Sequence, residues 1–122
     1  MKNVLVVDDS RIMRNIVKNT FSQLKIPCQF MEASNGKEAL QIISSQKIDL
    51  VLLDWNMPEL SGIEFLKMVR AKDEYKDIPI FMVTSEAAKY NVIEALKNGA
   101  TDYIIKPINE KIFQEKLSKI TI

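Results

Sequence analysis

The chain of 122 residues contains no histidine. Without imidazole it lacks the usual proton shuttle near neutral pH and the commonest metal ligand, and any scheme with a phosphoryl group on an internal histidine is excluded. Cysteine occurs once, so no internal disulfide can form, and the place of Cys28 in an apolar run predicts a buried structural thiol rather than a reactive one. No apolar stretch approaches the roughly 20 residues needed to cross a bilayer, so membrane insertion is not expected. Neither sign of charge dominates: 17 Lys and Arg stand against 16 Asp and Glu, for a net charge of +1. The basic residues are dispersed, which argues against the electrostatic footprint of a DNA-binding protein. Repeats, low-complexity stretches and linkers are missing as well. Met1-Lys2-Asn3 runs straight into the first apolar segment, leaving no room for a secretory signal, and a cytoplasmic location is expected.

What is present is an ordinary globular composition, 47% hydrophobic and 27% charged, which argues against extensive disorder. The length suits one domain spanning 1–122. Four β-branched-rich apolar runs each stop at a polar, reactive residue: Val4 to Val7 at Asp8-Asp9, Ile48 to Leu53 at Asp54, Ile80 to Val83 at Thr84, and Tyr103 to Ile105 at Lys106. Such runs read as strands buried on both faces.

Helix-like segments alternate with them. Ile12, Met13, Ile16, Val17, Thr20, Phe21 and Leu24 fall at helical spacing between Ser10 and Lys25. Cys28 to Ala33 reads as a second strand, and Asn35-Gly36 turns the chain into a helix carrying Ala39, Leu40, Ile42 and Ile43. After Asp54, a loop with Pro58 and Gly62 leads into a helix through Ile63, Leu66, Met68 and Val69, closed by the polar stretch Lys72 to Asp77. Ala87 to Asn98 is a helix stopped by Gly99, and Asn109 can cap a last one whose Ile112, Phe113, Leu117 and Ile120 face inward. Five βα units with right-handed crossovers predict an α/β fold: a doubly wound, five-stranded parallel sheet of the flavodoxin-like type, order 2-1-3-4-5. A closed barrel would need eight units.

In such a sheet the carboxyl ends of all strands lie on one edge, where a crevice forms. Asp8, Asp9, Asp54, Thr84 and Lys106 should meet there. Three clustered carboxylates repel one another and call for positive charge, which Lys106 and a divalent cation supply. Mg²⁺, a hard ion bound by carboxylate and phosphate oxygens, fits that donor set. A carboxylate can attack phosphorus to give an aspartyl phosphate, and Asp54, at the end of the central strand, is the best nucleophile. Taken singly, each residue has a simpler role: Asp8-Asp9 can cap a helix, Asp54 can serve a turn, Thr84-Ser85 can cap, and Lys106-Pro107 can begin a loop. The simpler roles do not explain why all fall on one edge of one sheet.

Asp8-Asp9-Ser10, Asp54-Trp55-Asn56-Met57-Pro58 through Gly62, Thr84-Ser85 and Lys106-Pro107, in that order, resemble the receiver domains of bacterial two-component response regulators. The resemblance covers the whole chain. It implies that Asp54 accepts a phosphoryl group from a phosphohistidine on a sensor histidine kinase. It further implies that Asp9, Asp54 and the backbone carbonyl of Asn56 hold Mg²⁺, that Asp8 assists through water, and that Thr84 and Lys106 bind the phosphate. A cis peptide at Lys106-Pro107 is implied, and Tyr103 matches the family's switch aromatic, swinging as Thr84 is drawn to the phosphate. The helix from Ala87, the last strand and the last helix would then present a changed surface to a target protein. Trp55 is expected on the rim of the site. The chain ends soon after its last helix, which favours a stand-alone regulator acting by contact. Asn56 and Glu86, two positions beyond Asp54 and Thr84, match chemotaxis regulators of flagellar motors and would tune loss of the phosphoryl group.

Other functions remain in competition. A phosphorelay intermediate would hand the group to a histidine-containing phosphotransfer protein. A Mg²⁺-dependent phosphohydrolase of the haloacid dehalogenase type would need an acid at position 56, where asparagine stands. An enzyme with turnover of its own is therefore not expected, only self-phosphorylation and autodephosphorylation. A flavodoxin-type cofactor binder would need a hydroxyl- and glycine-rich loop where Asp8-Asp9 stands.

Overall fold

The apolar runs and the amphipathic segments between them form β1 (Lys2–Val7), α1 (Arg11–Gln23), β2 (Cys28–Ala33), α2 (Gly36–Ser45), β3 (Leu50–Asp54), α3 (Gly62–Arg70), β4 (Ile80–Ser85), α4 (Lys89–Lys97), β5 (Asp102–Lys106) and α5 (Glu110–Leu117). A 3-10 turn, Asp73–Tyr75, falls in the polar stretch after α3. The structure is a computed structural model that describes residues 2–55, 57, 59–85 and 89–120. Pro58 and Ala87 lie outside the described residues.

All strand pairs are parallel, in the expected order β2-β1-β3-β4-β5. Alternate side chains point to opposite faces of a strand, and the core divides accordingly. Leu5, Val7, Val51, Leu53, Ile80 and Met82 pack under α2, α3 and α4. Val4, Val6, Leu50, Leu52, Phe81, Val83 and Ile104 pack under α1 and α5, where the Phe21 and Phe113 rings meet edge to face at 5.2 Å. Each of these fully buried phenylalanines contributes roughly 1.5–3 kcal/mol through burial. Ser10, Asn35, Ser61 and Asn109 cap α1, α2, α3 and α5 through side-chain oxygens, and Ser61 with Glu64 completes a capping box.

Several expectations need correction. The third strand starts at Leu50, and Ile48 is buried ahead of it. Only the central strands are covered on both faces; in the Tyr103 to Ile105 run Ile104 alone is buried, because the strand order puts β5 on the sheet's edge. Ile12 (73% exposed), Ile16, Met68 and Ile112 face solvent. They flank the stripes that meet the sheet: α1 buries Val17, Thr20 and Phe21, and α5 buries Phe113 and Leu117. Cys28 is half-buried, since β2 is the other edge strand; burial, then the nearby Asp49 carboxylate, raise its thiol pKa and keep it protonated.

Side-chain ties hold the two ends of this frame. At the edge, Glu32 on β2 receives Arg14 Nε and Lys18 Nζ from α1, both at 3.0 Å. At the amino end of the sheet the Arg70 guanidinium donates to four carbonyls: Gly99 (2.8 Å), Tyr75 (2.8 Å), Lys76 (3.2 Å) and Ile78 (2.7 Å).

Candidate functional site

Strand register brings the chemistry together. Val7 pairs with Leu53, Asp54 with Val83, and Thr84 and Ser85 with Ile105 and Lys106. The residues that end the strands therefore form one row at the carboxyl edge. Carboxylate oxygens of Asp8, Asp9 and Asp54 lie within 4.8 Å of one another. Lys106 Nζ reaches in from β5, 3.1 Å from Asp54 Oδ1 and 3.5 Å from Asp8 Oδ2. Asp8, Asp54 and Thr84 are buried, whereas Asp9 is exposed.

The simpler reading of Asp8-Asp9 as a helix cap does not hold, because Ser10 takes that place and accepts from Met13 N. Asp8 is instead fixed on every side. Its N–H donates to Ala33 O at 3.0 Å, its Oδ1 accepts from Ser10 N at 2.9 Å, and its carbonyl accepts from Arg14 Nη1 at 2.6 Å. Arg14, which the sequence reading did not single out, thus positions the acidic turn. An arginine one turn into an amphipathic helix carries no local signal of that role.

Charge dominates the energetics. Burial, then the Asp8 charge and to a lesser degree Asp9, hold the Asp54 pKa above its ordinary value although Lys106 pulls it down. Burial alone would lower the Lys106 pKa, but Asp54 and Asp8 outweigh it and the amine is held more firmly protonated. Three carboxylates facing one ammonium leave two negative charges uncompensated. An all-oxygen donor set with that deficit, opening to solvent at Asp9, fits a hard divalent ion such as Mg²⁺.

The loop after Asp54 returns tightly against the site. Gly62 N donates to Trp55 O at 3.1 Å, and a Cβ on Gly62 would fall inside contact distance of the Asp54 carbonyl oxygen. Trp55 is half-buried and packs against the α2–α4 layer, and the Lys106-Pro107 peptide is cis. Asn56 and Glu86 lie outside the described residues. Tyr103 stands on β5, paired with Met82, with Lys116 Nζ 3.9 Å from the centre of its ring.

These features have parallels in known proteins. A family model described as a response regulator receiver domain matches residues 4–118. The chain is 44% identical to a chemotaxis protein CheY homolog of Campylobacter jejuni over 118 residues, 96% of this chain and 90% of the relative. It is 45% identical to chemotaxis protein CheY1 of Helicobacter pylori, over 96% of this chain and 94% of that one. The structure of Vibrio cholerae chemotaxis protein CheY4 superposes with a TM-score of 0.87 at 34% identity, covering 99% of each chain. Matched by that family model over residues 4–118, and sharing its fold with a chemotaxis CheY structure, the chain belongs to the response regulator receiver domain family.

Proposed function

We propose that this receiver is switched by phosphorylation of Asp54 from a sensor histidine kinase and controls a target protein in chemotaxis, within the cytoplasm. The observation that carries the proposal is the buried Asp54 carboxylate facing Lys106 at 3.1 Å inside a cluster of three carboxylates. Asp54 offers an oxygen to phosphorus; as the O–P bond forms, the P–N bond to the kinase imidazole breaks and its electron pair leaves with the imidazole, which takes a proton. Transfer of this kind depends on in-line positioning and on neutralising charge at the equatorial oxygens. Lys106 supplies one positive charge and a donor, and Thr84 a hydroxyl donor. Asp9 and Asp54, with the backbone carbonyl of Asn56, would hold Mg²⁺, and Asp8 would hold it through water. Bound there, the ion screens the carboxylates from one another and from the incoming anion.

Phosphorylation would draw Thr84 toward the site and let Tyr103 move, shifting a two-state equilibrium. The output face of α4, β5 and α5 exposes Tyr90, Ile93, Leu96 and Ile112, apolar side chains suited to a protein target such as a flagellar motor switch. Among the described residues no helix is long and apolar enough to cross a membrane. The relatives' names place them in chemotaxis, which supports the same role here over a phosphorelay. Asn56 and Glu86 are assigned to autodephosphorylation on sequence alone; phospho-Asp54 in an Asn56→Ala, Glu86→Ala double variant should outlive that of the parent.

The deciding experiment is intact mass after incubation with acetyl phosphate and Mg²⁺. A single phosphoryl adduct, lost in Asp54→Asn and without Mg²⁺, is the expected result. No adduct, together with no response to the phosphoryl mimic beryllofluoride, would leave a receiver fold acting as a phosphate-independent binding module.

A further inference from the structure

Lys116 reaches from α5 around the outer edge of the sheet to a residue on the opposite face. Ile104 packs with Phe113 and Leu117 beneath α5, whereas Tyr103, one residue earlier, packs with the α2–α4 layer. The contact is possible because β5 is an edge strand, with no neighbour beyond it to block the path. At 3.9 Å from the ring centre, the ammonium meets the negative face of the aromatic system. It is also tethered. Lys116 Nζ donates to Asp102 Oδ1 at 2.9 Å, and the same oxygen accepts from the Tyr103 backbone N–H at 2.7 Å. The lysine and aspartate side chains are only 17% and 24% exposed, so water screens the arrangement weakly.

We propose that Lys116, anchored by Asp102, holds the Tyr103 ring at the sheet edge and thereby sets the resting bias of the receiver. The proposal rests on the switch role given to Tyr103 above. A ring that leaves this position parts from a cation that stays behind, fixed to the backbone of the same strand through Asp102. The attraction is therefore present in one arrangement of Tyr103 and missing in the other, which is the condition for biasing an equilibrium. Lys116 is a positioning residue, since it acts through Tyr103 and does not touch the phosphoryl site. Its loss should raise the population of the displaced ring about 2- to 30-fold, the range expected for an ammonium on a partly covered aromatic face.

The test is NMR of protein carrying ¹³C-labelled tyrosine rings, with the Tyr103 signal assigned from Tyr103→Phe. With Mg²⁺ alone, Lys116→Met, which keeps an apolar stem of similar length, should move the Tyr103 signal toward the displaced state. Lys116→Arg, which keeps the cation, should hold the parent position, and Asp102→Asn, which loosens the tether but keeps the backbone acceptor, should fall between. A Tyr103 signal unmoved in Lys116→Met would overturn the proposal. So would equal displacement in Lys116→Met and Lys116→Arg, which marks a packing role without the charge. Beryllofluoride added to the parent tests the underlying switch separately: no response of Tyr103 there removes the switch role, while the Lys116→Met comparison still decides whether the ring is held.

Discussion

Replacing Gly62 by alanine should destabilise the fold and disturb the acceptor together. The added methyl would press on the Asp54 carbonyl oxygen and lie 3.1 Å from both Trp55 Cα and Trp55 O, so the three nearest atoms are all backbone and cannot swing away as a side chain would. Forcing a methyl into a packed backbone contact costs about 1–3 kcal/mol. Alanine's better helix propensity at the start of α3 offsets at most ~1 kcal/mol of this. Because the atoms met are backbone, the clash falls in the upper part of that range, about 2–3 kcal/mol, and the net loss of about 1–2 kcal/mol corresponds to a urea midpoint lowered by roughly 0.5–1 M. The same loss lowers Tm by about 4–8 °C. Trp55, the only tryptophan and a direct neighbour of the strain, reports the transition by fluorescence. Because the carbonyl pushed away belongs to Asp54, the folded fraction should also take up phosphoryl groups more slowly at saturating Mg²⁺. A Gly62→Ala protein as stable as the parent would refute the close-approach argument. One that is less stable but phosphorylated at the parent rate would break the link from this contact to the site.

Further outcomes follow from the site and its frame. Since the folded protein holds the Asp54 proton more tightly than the unfolded chain, this group's contribution to stability grows as pH falls through the raised folded-state value. The contribution is complete below the ordinary value of 3.8 and missing at neutral pH. Asp54→Asn should therefore melt above the parent at pH 7 without Mg²⁺, by a margin that narrows on acidification; an earlier melt at pH 7 would contradict this balance. Mg²⁺ at about 100 times its Kd should stabilise the parent by roughly 2.7 kcal/mol. Asp9→Ala should lose most of that gain by calorimetry, and an unchanged affinity would remove Asp9 from the ligand set. Arg70→Ala, which strips the donors from four carbonyls, should lower stability by about 2–4 kcal/mol in urea titration. Arg70→Lys should recover little, because one ammonium cannot span the positions a guanidinium fork reaches.

The βα alternation and the reactive edge were legible because both are local: an apolar run ends, and the residue after it stands at the end of a strand. Asp8, Asp54, Thr84 and Lys106 were readable on that ground, and the register of the sheet brings them into one row. Periodicity marks an apolar stripe but not its width, which is why Ile112 was expected inside and is exposed, and why Ile12, Ile16 and Met68 fall at helical spacing yet face solvent. The roles of Arg14, Arg70 and Lys116 were hidden for a different reason. Each depends on acceptors from other segments, such as the Asp8 carbonyl for Arg14 and the Gly99 carbonyl for Arg70, and a long flexible side chain carries no trace of its partner in its neighbours.

The two rims of the sheet share a device. An open strand edge presents unpaired amide and carbonyl groups on which another chain can add a strand, the first step toward aggregation. β2 meets that hazard with Glu32 clasped by Arg14 and Lys18, and β5 with Asp102 clasped by Lys116. An incoming strand at either rim would have to displace an ion pair and strip water from charged groups before gaining its own hydrogen bonds. The charged groups thus disfavour strand addition by a second copy at both rims, and on the β5 side they include the residue proposed to hold Tyr103.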